Sequence, residues 1–296
     1  ALHLVNLRTR GAVQQLNPNR TDPANEVFVA MASSGTPQSA PSGGSSARVI
    51  YVVRNLRTNV DTLYLADTRN PGSASVVANL MTGVTLGDEL IISPDGSMAA
   101  FSIEATSGQH QVAISFLNQP ANATVVYTNN TLTEYRPVEF AFSDDSSRLL
   151  WIDSGASSEP GPLQALELAP LNASTRISDG IGSVTQVSAA NLVNERVSEF
   201  SVKPGSSGEN TSVAYRSFAA SSDAPSDTYL ANLSTPNTVT KLNDGPADGA
   251  VFTTWEDVLW RSNSVLYNAS EAFLELADLF TVAESNPGNP TALSLQ

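Results

Sequence analysis

Leu90-Ile91-Ile92-Ser93-Pro94-Asp95-Gly96-Ser97-Met98-Ala99-Ala100-Phe101 reads as a strand, a tight turn and a second strand. Pro94 presets the φ that a type I or II turn wants, and Asp95-Gly96 complete the turn. The unit returns as Phe140-Ala141-Phe142-Ser143-Asp144-Asp145-Ser146-Ser147-Arg148-Leu149-Leu150-Trp151. It returns again, stretched, from Phe200-Ser201-Val202-Lys203-Pro204-Gly205 to Ser212-Val213-Ala214-Tyr215. A degenerate copy runs from Val258 to Tyr267, and an early one joins Val27–Met31 to Val49–Val53.

A second phrase alternates with the first. Leu65-Ala66-Asp67 runs into Asn70-Pro71-Gly72, Ile114-Ser115-Phe116 into Gln119-Pro120-Ala121, and Leu166-Glu167-Leu168 into Ala169-Pro170-Leu171. Leu230-Ala231-Asn232 runs into Thr235-Pro236-Asn237, and Phe280-Thr281-Val282 into Asn286-Pro287-Gly288. Each is an apolar strand, a Pro/Gly/Asn turn and a short second strand. The period is roughly fifty residues and is built of strands, which predicts stacked four-stranded units and a β-propeller. Outer-strand hairpins are expected near 2–16, 62–78, 111–127, 163–177, 227–242 and 278–295, within a single domain over 1–296. Six hairpins but five inner pairs (near 26, 88, 138, 198 and 257) predict six blades with an incomplete first one. The alternative is five blades, with the hairpin of Leu2 to Leu16 added at the side. Ser270-Glu271-Ala272-Phe273-Leu274-Glu275-Leu276-Ala277-Asp278-Leu279-Phe280 has helical spacing and a capping serine, with Leu279 onward open to being strand.

Composition narrows the function. The chain has 29 acidic and 15 basic residues, a net charge of −14, and only Lys203 and Lys241 as lysines. Nucleic acid needs clustered cations, so it is not an expected partner, and an anionic membrane would repel the chain. No apolar run reaches the ~20 residues of a membrane helix. There is no cysteine, hence no disulfide and no thiolate metal site. Charged residues are 15% of the chain, and Ser, Thr and Asn supply the polarity. That surface suits a periplasmic or secreted bacterial protein. Ala1 opens directly on the strand-like Leu2-His3-Leu4-Val5, so a signal peptide is expected to be absent or removed.

Ser93-Pro94-Asp95-Gly96, with the apolar strand before it and Met98–Phe101 after it, resembles the TolB-type propeller repeat, in which an SPDG turn joins two inner strands. Leu63-Tyr64-Leu65-Ala66-Asp67 and Asn70-Pro71-Gly72 resemble the strand and turn that follow it. The Ser143 turn and the Lys203 turn match in part, and Arg261-Ser262-Asn263-Ser264 has lost the pattern. The resemblance implies a propeller. Similar repeats serve periplasmic binding proteins and the propellers of prolyl peptidases, so it leaves function to the site.

Candidate chemistry is sparse. No Gly-x-Ser-x-Gly elbow occurs, and His3 and His110 are the two histidines, with His110 expected in a surface loop. Asp88, Glu89, Glu139, Glu199, Glu256 and Asp257 sit at or just before first strands, which line the axis of a propeller. They read either as solvated strand entries or as an acidic channel that attracts a cation or a basic ligand. A pair of them could in principle hydrolyse a glycoside. Asn243-Asp244-Gly245-Pro246-Ala247-Asp248-Gly249, with Asp145, offers oxygen ligands to Ca2+, against the plainer reading of a turn; no other cofactor is expected. Trp255 reads as an exposed rim aromatic, and Trp151 and Trp260 as packing residues. Loops at Ser33–Ser46 and Ala219–Asp227 are expected to share one binding face. The balance is a non-catalytic binding or scaffolding propeller with a protein partner. The alternatives are a glycoside hydrolase-type enzyme and the propeller portion of a larger protein.

Overall fold

A computed structural model describes residues 3–4, 14–15, 25–28, 48–67, 70, 74–117, 123–128, 136–154, 161–168, 181–188, 195–206, 210–219, 227–235, 238–242, 252–253, 258–271, 278–287 and 290–293. All regular structure among them is strand, apart from a single 3-10 residue at Asn210. A short hairpin, β1 (His3–Leu4) and β2 (Gln14–Gln15), forms a sheet of its own. Four meanders of four strands follow. The first is β3 (Asn25–Phe28), β4 (Arg48–Asn55), β5 (Val60–Asp67) and β6 (Ala74–Asn79). The second is β7 (Thr85–Ile92), β8 (Met98–Glu104), β9 (His110–Phe116) and β10 (Ala123–Thr128). The third is β11 (Arg136–Phe142), β12 (Arg148–Ser154), β13 (Leu163–Leu168) and β14 (Ile181–Gln186). The fourth is β15 (Glu195–Val202), β16 (Ser212–Ala219), β17 (Asp227–Asn232) and β18 (Val239–Lys241). In the last sheet two pieces, β19 (Phe252–Thr253) and β20 (Leu259–Arg261), both pair with β21 (Ser264–Glu271), followed by β22 (Asp278–Ala283) and β23 (Thr291–Leu293).

The chain divides into two compact units, residues 1–140 with 175–178, and residues 141–174 with 179–296. The Ser-Pro-Asp-Gly turn is a closed hydrogen-bond system. Ser93 Oγ accepts from Met98 N at 2.9 Å and donates to Asp95 Oδ1 at 2.6 Å. Asp95 in turn accepts from Ser97 N and Ser97 Oγ, at 3.0 and 2.7 Å. Gly96 supplies φ 71°, the left-handed conformation that costs glycine nothing. The Ser143 turn repeats every one of these contacts through Asp145 and Ser147, with Ser146 at φ 61° in the glycine place. Asp145 is thus engaged inside its own turn.

Three residues into each second strand stands one aromatic: Tyr51, Phe101, Trp151, Tyr215 and Tyr267, all at most 1% exposed. In three sheets it stacks on its cross-strand neighbour, Tyr51 on Tyr64 and Tyr215 on Tyr229 at 5.4 Å, and Tyr267 on Phe280 at 5.8 Å. Around them, Ile50, Leu63, Val77, Ile103 and Ala113 belong to one apolar cluster of the first unit, and Val265, Leu242 and Val282 to one of the second.

Both described ends of the helix expected over 270–280 are strand, and 272–277 lie outside the described residues. Ser270 and Glu271 pair with Thr253 and Phe252 in β21, and Asp278–Phe280 lie in β22. Cross-strand pairing of Tyr267 with Phe280 and Asn268 with Leu279 outcompetes a local 3–4 spacing. The two long insertions, 29–47 and 220–226, lie outside the described residues, and only the strands that flank them are described. The segment containing Ser33–Ser46 joins a first strand to a second, whereas Ala219–Asp227 joins a second to a third. In an antiparallel meander such connections emerge at opposite ends. The hairpin read over 163–177 has its second strand later, at Ile181–Gln186, anchored by buried Val187, whose amide donates to Leu163 O at 2.8 Å.

In the second unit Glu284 ties the last two sheets together. Lys203 Nζ donates to Glu284 Oε2 and Ser212 Oγ to Oε1 at 2.5 Å, while Trp260 Nε1 donates to Ser201 O at 2.9 Å. Burial alone would raise the Glu284 carboxyl, but the hydrogen bonds from Lys203 and Ser212 and the Lys203 charge outweigh it and hold it below its ordinary value. A carboxyl with a lowered folded-state pKa stabilises above its unfolded pKa and loses that contribution as pH falls through the folded value. The urea midpoint of the wild type should therefore exceed that of Glu284→Gln at pH 7, and the gap should close below about 4.5. A gap unchanged at pH 3 would contradict this ion pair. Trp151→Ala should cost ~3–5 kcal/mol in the same unfolding measurement, as for other large buried side chains.

Candidate functional site

Three of the acidic residues singled out in the sequence fall at one repeated place. Glu89, Glu139 and Glu199 each stand four residues before the first residue of the turn, Ser93, Ser143 or Lys203, whose amide donates to Met98 O, Arg148 O or Ser212 O. The backbone is irregular at all three. In β7 the register slips between Leu86 and Leu90, in β15 between Val197 and Glu199, and in β11 Glu139 itself adopts φ 54°. Bulges of this kind re-aim side chains and recur beside functional sites.

How each irregularity is satisfied depends on the residue after the buried aromatic. Ser102 follows Phe101, and its Oγ accepts from Glu89 N at 3.1 Å. The fit needs Gly87: a Cβ there would lie 2.3 Å from Ser102 Oγ. Arg216 follows Tyr215; its Nε donates to Ser198 Oγ at 3.1 Å and lies 3.4 Å from Glu199 Oε1. Ile152 follows Trp151 and has no polar group to give, and here the chain turns through the left-handed region at Glu139 instead.

The four acids therefore differ. Asp88 and Glu139 are exposed, Glu89 is half-buried, and Glu199 is largely buried against Arg216. Arg216 and Ser102 went unnoticed in the sequence. The signal that could have found them is a polar residue directly after the repeated aromatic. His110 opens β9 opposite Glu104 rather than standing in a loop. Burial, aided by Arg136, keeps its imidazole neutral to lower pH than usual, against the pull of Glu104 and Asp88. Glu256, Asp257, Trp255, Asp244 and Asp248 lie outside the described residues. Among the described residues no three His, Cys, Asp or Glu side chains gather as a metal site would require.

No protein-family model matches the sequence, and no curated protein matches it. Solved structures do. Prolyl oligopeptidase B from Galerina marginata, bound to a 25mer macrocyclization substrate, aligns over 96% of this chain and 38% of its own, at 14% identity and a TM-score of 0.55. Oligogalacturonate lyase from Vibrio parahaemolyticus aligns over 84% of this chain and 74% of its own, at 11% identity and a TM-score of 0.51. The fold is a β-propeller. At such identities the likeness carries the fold alone. A putative TolB from Agrobacterium tumefaciens aligns over 83% of this chain and 76% of its own, at 13% identity, with a TM-score of 0.44, too low to argue from. This propeller chain spans little more than a third of the prolyl peptidase structures it matches, 36% of one and 38% of another. No helix among the described residues is long and apolar enough to cross a membrane.

The left-handed conformation costs a residue with a Cβ about 1–2 kcal/mol. Glu139→Gly should raise stability by about 1 kcal/mol in urea unfolding if backbone strain dominates at this position. A loss of stability would show that the contacts of the glutamate side chain outweigh the strain.

Proposed function

We propose that this propeller is a non-catalytic binding or scaffolding module that engages a protein outside the bacterial cytoplasm. The observation that carries this reading is the state of Glu199. Its carboxylate lies 3.4 Å from Arg216 Nε, with both side chains mostly buried. A carboxylate held beside a guanidinium, the two side chains facing each other from neighbouring strands, is oriented by that contact, which suits a structural role. The sparsely charged, Ser/Thr/Asn-rich composition supports an exported setting, and the net charge of −14 opposes nucleic acid as partner. One observation favours the glycoside hydrolase reading: Glu139, exposed and at φ 54°, is the kind of backbone outlier that persists where a side chain must be aimed.

The two readings separate by assay. The purified chain is expected to turn over none of a panel of glycoside, ester and peptide substrates. Turnover that disappears in Glu139→Gln or Glu199→Gln would replace the binding reading with the carboxylate one.

A further inference from the structure

One end of the first meander carries two apolar side chains on turns that are held rigid. Leu56, 56% exposed, sits in the β4–β5 turn, and Met81, 77% exposed, follows β6. The two turns lie at the same end of the sheet, because Asn55 pairs with Val60 and Thr62 with Asn79. Asn55 Oδ1 accepts from Arg57 N and Thr58 N at 2.9 and 3.2 Å, and Asn59 N donates to Asn55 O at 2.7 Å. Met81 is fixed from both sides: Leu80 and Val84 are buried, Leu80 N donates to Asp61 O, and Val84 N donates to Met81 O. Gly83, at φ 83°, abuts Thr106 so closely that a Cβ would lie 2.1 Å from its methyl group.

Asp61 organises this end. It is fully buried, its carboxylate grips Arg54 with two bonds of 2.7 and 2.8 Å, and it accepts from Leu86 N at 3.2 Å. Its charge is thereby spent on Arg54. The neighbouring Arg57 is exposed and makes no ion pair among the described residues, in a chain whose net charge is −14. Single exposed apolar residues are ordinary, but two at one end of a sheet, each on a hydrogen-bonded turn and one of them next in sequence to an exposed cation, form a preorganised patch.

We infer that Leu56, Met81 and Arg57 form a docking surface for a partner protein that offers an apolar recess rimmed by a carboxylate. The inference rests on the protein-binding reading above and gives it a place. Apolar tips on rigid turns lose little entropy on docking, methionine adapts to the recess, and the arginine fixes register through a carboxylate. A lipid surface could also accept two apolar tips beside a cation, but a chain of this charge is repelled by anionic headgroups.

The test uses the full chain in its native host, with a photo-crosslinking phenylalanine derivative placed at Met81 in one variant and at Val125, exposed on the β10 edge, in another. The expected result is a protein adduct at position 81 that falls about tenfold with either Leu56→Asp or Arg57→Glu, as interface anchors do. Mass spectrometry of the adduct should find Asp or Glu beside apolar residues. These are surface changes, and circular dichroism checks that the variants stay folded. An adduct at 125 and none at 81 overturns this surface while protein binding stands. No adduct at either position overturns both. An adduct at 81 indifferent to both substitutions also overturns the inference. Co-sedimentation of the purified chain with phosphatidylglycerol vesicles, lost in Met81→Asp, would assign the patch to a membrane instead.

Discussion

Each four-stranded meander is organised around one buried aromatic in its second strand. Tyr51, Phe101, Trp151, Tyr215 and Tyr267 stand at the same register, and burial of such a ring contributes ~2 kcal/mol or more. A ring at this position needs a first strand in front of it and a third strand behind it, so it fixes the register of both. The stacked pairs with Tyr64, Tyr229 and Phe280 show the third-strand side of that demand. Where the third strand offers Ala113 or Gln164 instead, the second-strand side chain is Phe101 or Trp151 and remains fully buried.

The turn before each ring is set by a second constraint. Ser93 and Ser143 both accept an amide and donate to the aspartate two residues on, so the turn carries hydrogen bonds of its own, and at the first of them Arg48 of β4 adds another by donating to Gly96 O at 2.6 Å. In the fourth meander Lys203 occupies the serine place, and the local system gives way to a longer reach. Lys203 and Ser212 meet Glu284 of the last sheet, with the lysine 5.7 Å from the Trp260 ring centroid. The outer edges follow a comparable logic. The pairings of β6, β10 and β14 with their third strands each contain a register shift, while β18 carries Lys241 and β23 is three residues long. Bulges, lysine and shortness are the devices that keep an edge strand from recruiting another chain.

Function bears on the places where this regularity is broken. The first strands slip or twist just where their acids stand, and the residue after the ring decides how. Ser102 supplies an acceptor, Arg216 a cation, and Ile152 neither. Acids that look equivalent along the chain thus end as an exposed Glu139 and a mostly buried Glu199. The end of the first meander differs in kind. It owes its order to Asp61, whose buried carboxylate is met by a two-pronged arginine and the amide of Leu86, while its backbone carbonyl separately accepts from Leu80 N.

The sequence by itself determined the all-β class, the period, the Ser-Pro-Asp-Gly turns and the first strands bearing Glu89, Glu139 and Glu199. These were legible because they rest on local chemistry: alternation, turn residues and a repeat that reports itself. The tertiary structure alone decided that 270–271 and 278–280 are strand, because pairing partners distant in sequence outweigh a helical spacing that is local. It alone joined Arg216 to Glu199, Arg54 to Asp61 and Lys203 to Glu284, since an ion pair depends on which strands lie side by side and on how much water reaches them. The same holds for Leu56 and Met81. Both read as ordinary apolar residues in the chain, and only the turn closed by Asn55 around Leu56 and the burial of Leu80 and Val84 on either side of Met81 determine that they face outward.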